Sequence, residues 1–82
     1  MLENNEVGEA IEELSILIDQ AEKPNDELFY LRGNAYRKSG NWQMAMNNYL
    51  EAMEINPESP ASGAYKMTMD ILNFYNKDMF NQ

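Results

Sequence analysis

The stretch DELFYLRGNAYRKSGNWQMAMNNYLEAMEINPES, Asp26 to Ser59, decides how this chain folds. Gly40 suits the positive φ at which helices often end, and Asn41 can cap the helix that follows, so a turn joins two helices here. Pro57 marks the end of the second. Gly33, Ala45 and Ala52 are small enough to let two helix axes approach, while Phe29, Tyr36 and Tyr49 fill the space around them. One hairpin of this kind cannot bury both of its faces. It needs neighbouring helices on each side.

Read as a unit of 34 residues, this segment resembles a tetratricopeptide repeat. Numbered from Asp26, Phe29 takes the fourth place, Gly33 the eighth, Tyr36 the eleventh and Gly40 the fifteenth. Trp42 takes the seventeenth, Ala45 the twentieth, Tyr49 the twenty-fourth, Ala52 the twenty-seventh and Pro57 the thirty-second. The seventh place departs from the pattern. The family favours Leu there, this chain has Arg32, and Leu31 stands one position ahead.

The flanks read as half-repeats. An offset of 35 residues carries Ala45, Tyr49 and Ala52 back onto Ala10, Leu14 and Leu17, so the first segment looks like the second helix of a preceding repeat. Its apolar stripe, Val7, Ile11, Leu14, Ile18 and Ala21, has the helical period and is widened by Ile16 and Leu17, and Pro24 with Asn25 ends it. Ser59 before Pro60 reads as an N-cap with proline in the first turn of a fourth helix. That helix is apolar round most of its circumference apart from Lys66, Asp70, Asn73 and Lys77, which suggests contacts on a second side. Helices are predicted at roughly 5–22, 26–39, 42–55 and 59–77, in a single all-α domain over 1–82. The expected fold is a four-helix, right-handed α-solenoid fragment like those of the tetratricopeptide family, with a compact four-helix bundle as the alternative.

Composition narrows the chemistry. The chain has no Cys and no His, hence no disulfide framework, no common metal ligand and no base titrating near neutrality. Ser15, Ser39, Ser59 and Ser62 lack a histidine to activate them, and the Glu9/Glu13 pair lies on an expected outer face without cause for a shifted pKa. No calcium-loop or phosphate-loop spacing occurs. No enzyme, cofactor or metal is therefore expected. The net charge of −8 resides in residues 1–27, the remainder being balanced, which disfavours nucleic acid and anionic membranes. These acids serve the solvation of helix 1 and its dipole, with a basic partner as the alternative. No apolar run is long enough to span a membrane and the N-terminus lacks a secretory signal, so the cytoplasm is the expected compartment, an exported parent protein being left open.

The resemblance implies a non-catalytic protein-interaction module that holds a peptide or helix of another protein in a short concave groove. Its groove positions fall on Glu27, Tyr30, Asn34, Arg37 and Lys38, facing Ala61, Ala64 and Thr68 of the fourth helix. Asn34 matches a residue that one branch of the family uses to grip a C-terminal carboxylate, but Tyr30 replaces that branch's lysine. The same residues also have a structural reading: Arg37 and Lys38 favour a helix C-terminus without any ligand, and Tyr30 can pack on the fourth helix. The alternative function is self-association, or continuation of a longer array, through the partnerless first helix or the fourth helix around Met69 and Leu72. Seven methionines fit either core filling or an adaptable contact surface.

Overall fold

The computed structural model describes residues 2–80, and the side chains of residues 6–74. The described residues form four helices, α1 (Leu2–Gln20), α2 (Asp26–Lys38), α3 (Trp42–Ile55) and α4 (Ala61–Phe80). Each packs chiefly on the next in sequence, α2 against α3 most extensively. The outcome is a flat array of 48 × 35 × 15 Å, thinner than a four-helix bundle, whose helices enclose one central core.

Local sequence fixes the ends of these helices. Gly40 adopts φ +89°, and the turn around it forms a Schellman motif, with Gly40 N–H donating to Arg37 C=O at 3.0 Å and Asn41 N–H to Tyr36 C=O at 2.9 Å. Asn41 caps α3 by accepting from Met44 N–H at 3.2 Å. Asn25 caps α2 through Glu27 N–H at 2.9 Å. Ser59 Oγ accepts from Ala61 N–H at 3.0 Å, the bond expected of an N-cap with Pro60 in the first turn. Ala21 falls just beyond α1 although its N–H still reaches Leu17 C=O at 3.0 Å.

The core is centred on α3. Ala45, Tyr49 and Ala52 are fully buried, joined by Ala61 of α4, and Phe29, Tyr30, Tyr36, Met53, Ala64 and Tyr65 pack round them. Gly33 of α2 is buried where the Tyr49 ring and the Ala45 carbonyl lie so close that a Cβ would stand 2.7 Å from Tyr49 Cε1. The small-and-large alternation therefore sets the spacing of α2 and α3.

Arg32 explains the departure from the repeat pattern. Its Nε donates to Asn48 Oδ1 of α3 at 2.7 Å and its Nη1 to Ser15 Oγ of α1 at 2.9 Å, with its guanidinium 5.4 Å from the centre of the Phe29 ring. Asn48 is itself buried and donates to Met44 C=O at 2.8 Å. An apolar side chain at position 32 would leave the buried Asn48 oxygen unpaired and would not reach Ser15. Arg32 thus fastens the half-repeat α1 to the full repeat.

Candidate functional site

Tyr30, Asn34 and Arg37 of α2 stand between Tyr49 of α3 and Met67 of α4. Tyr30 lies against Tyr49, with ring centroids 6.2 Å apart and planes inclined at 41°. The Tyr49 hydroxyl donates to Asn34 Oδ1 at 2.5 Å, so the carboxamide is oriented by its oxygen and keeps its N–H groups as donors. Burial pushes the Tyr49 hydroxyl above the usual tyrosine range, opposed by the nearby Arg37 charge and reinforced by Tyr30. The hydroxyl consequently stays protonated and remains a donor to Asn34 at neutral pH.

Arg37 reaches towards α4, its Nη1 lying 3.9 Å from Met67 Sδ. Met67 is 54% exposed and adds a flexible thioether to this surface; the groove positions of the repeat did not include it. At the other end, Glu27, Tyr30 and Leu31 of α2 meet Ser59 and Pro60 round a cleft of about 240 Å³. Leu31 is an apolar surface residue here, because Arg32 takes the inward direction beside it.

Not every expected groove residue joins this surface. Thr68 is fully buried and donates its hydroxyl to Ala64 C=O at 2.8 Å, because it lies on the side of α4 turned to α3. It offers no groove surface, and Ala61 is likewise buried in the core. Ala64 is half-buried against the core. Lys38 lies at a different cleft, of about 430 Å³, with Ala35 of α2 and Glu6, Val7 and Ala10 of α1. Of the two residues named for self-association, Met69 is exposed and Leu72 is half-buried beside Trp42, Met46 and Leu50 in a cleft of about 410 Å³. Among the described residues no group of acidic side chains is arranged to hold a metal ion, and no helix is long and apolar enough to cross a membrane.

A flat array of helices, each packed chiefly on the next in sequence, defines an α-helical repeat protein. Residues 27–59 match the tetratricopeptide repeat, and the chain belongs to that family. It is similar to Bacteroides fragilis protein BF1650, determined by NMR in solution, at 48% identity and a TM-score of 0.74, over 100% of this chain and 92% of that one. No curated protein matches the chain. Tetratricopeptide repeats are in general non-catalytic modules that bind other proteins.

Proposed function

We propose that this protein is a non-catalytic adaptor that binds a peptide or helix of a partner protein in the groove between α2 and α4. The observation that carries this reading is the set Tyr30, Asn34 and Arg37, three different recognition chemistries held side by side on one rigid helix. Tyr30 is braced by Tyr49 and offers an aromatic surface; Asn34, oriented through its oxygen, offers N–H donors; Arg37 offers a cation. A ligand with an apolar side chain next to a carboxylate or backbone carbonyl complements them. Glu27 and Met67 extend the surface at either side, and Ala64 leaves room for a ligand backbone to approach.

The test begins with peptides selected from a displayed random library against the purified protein. Arg37→Glu should weaken the selected peptides about tenfold or more, with the helical circular dichroism unchanged. Unaltered affinity for every selected peptide would refute this groove.

A further inference from the structure

The register shared by α1 and α3 points to a second docking position. Ala45, Tyr49 and Ala52 of α3 are fully buried between α2 on one side and α4 on the other. Their counterparts 35 residues earlier, Ala10, Leu14 and Leu17, lie on α1, where no other described helix takes the place that α2 takes on α3: Ala10 and Leu14 are half-buried and Leu17 is 49% exposed. Across from them, α2 turns Leu31 (44% exposed), Ala35 and Lys38 outward at helical spacing. The two stripes border a trough, one end of which is the cleft of about 430 Å³ between Val7, Ala10 and Ala35. Leu31, which also borders the cleft with Tyr30, Ser59 and Pro60, is the ridge between this trough and the α2–α4 groove, and α2 occupies the equivalent position on α3.

Charge selects what fills it. Glu6, Glu9 and Glu13 line the exposed side of α1, also among exposed Glu12 and Asp19, with Lys38 the single base at the trough. A second copy of this chain would set its own acidic segment against this one or offer the charge-balanced α4, so neither complements the edge. We propose that the α1–α2 trough seats a basic amphipathic helix of a partner protein, in the position on α1 that α2 holds on α3. Its aliphatic residues, spaced three and four apart, cover Ala10, Leu14, Leu17 and Leu31, while Lys or Arg on its flank meets Glu6, Glu9 and Glu13. The site shares with the α2–α4 groove only the ridge residue Leu31.

The test uses a synthetic helical peptide of roughly 18 residues, built from Leu, Ala and Lys with one apolar stripe, and a twin in which Glu replaces Lys. Titrated into the isotopically labelled protein, the Lys peptide should shift the amide signals of Ala10, Leu14, Leu17, Leu31 and Ala35, and the Glu peptide should shift none. The doubly substituted Leu17→Ser, Leu31→Ser protein should bind about tenfold more weakly, and Glu9→Gln with Glu13→Gln about threefold more weakly at low salt. All four positions are exposed, so circular dichroism should be unchanged. Arg37→Glu should leave this binding intact, which separates it from the groove. Equal binding of both peptides, insensitivity to the Leu substitutions, or shifts confined to the α2–α4 groove would overturn the proposal. So would a dimer in sedimentation that Leu17→Ser dissociates, since that assigns the trough to a second copy.

Discussion

Gly33→Ala tests the packing that sets the whole array. In an open helix interior the exchange of Gly for Ala stabilises by about 1 kcal/mol. At position 33 the new methyl would lie 2.7 and 2.8 Å from the Tyr49 ring and 3.2 Å from the Ala45 carbonyl. The ring is not a loose end. Tyr49 is fully buried and tethered to Asn34, so moving it costs roughly 1–3 kcal/mol of overpacking plus about 1 kcal/mol for the strained hydrogen bond. The net expectation is destabilisation by about 1–3 kcal/mol, a fall of about 5–20 °C in Tm for a chain of this size. Gly8 supplies the control, because it sits inside α1 with nothing within 4 Å of an added Cβ. Gly8→Ala should raise stability by about 0.5–1 kcal/mol. Urea unfolding followed by circular dichroism measures both. If Gly33→Ala stabilised as Gly8→Ala does, close approach of α2 and α3 through Gly33 would be refuted.

Three further outcomes follow from the same contacts. Arg32→Met should cost about 2–4 kcal/mol by leaving Asn48 and Ser15 unpaired, and hydrogen exchange should show α1 losing protection before α3; uniform loss, or none, would contradict the fastening role. Gly40→Ala should cost about 1–2 kcal/mol in the same urea assay, since its φ of +89° suits glycine alone, and a neutral result would deny the Schellman turn. Burial raises the Tyr49 pKa above the ordinary 10.0, so the folded state keeps a proton that the unfolded chain surrenders. That contribution is complete below pH 10.0 and disappears as pH rises through the folded-state value; Tyr49→Phe should flatten this alkaline decline, measured as urea midpoint against pH.

What the sequence made legible and what it concealed divide by range. Gly40, Asn41 and Ser59–Pro60 act through bonds to residues at most five positions away, so their roles follow from residue type and spacing. The small residues Gly33, Ala45 and Ala52 were legible for a related reason, because close packing demands them wherever two helices meet. Arg32 was not. Its partners Ser15 and Asn48 lie 17 and 16 residues away, and nothing local marks either as an acceptor. Orientation on α4 was similarly concealed: a helix apolar over most of its circumference does not declare which side meets α3, and so Thr68 was expected on the groove although it is buried in the interface. Lys38 shows the same limit on α2, where the groove and the α1 cleft are less than half a turn of the helix apart. Met67 lacked any signal beyond its flexibility, since its place opposite Arg37 depends on how α4 is set against α2.

The groove itself is tested most directly by mapping a bound peptide. In a titration of the labelled protein with a library-selected peptide, the amide and side-chain signals of Tyr30, Asn34, Arg37 and Met67 should shift together, with those of Gln43, Asn47 and Glu54 unmoved. Shifts centred on α3, with Tyr30, Asn34 and Arg37 unaffected, would contradict an adaptor that recognises its partner between α2 and α4.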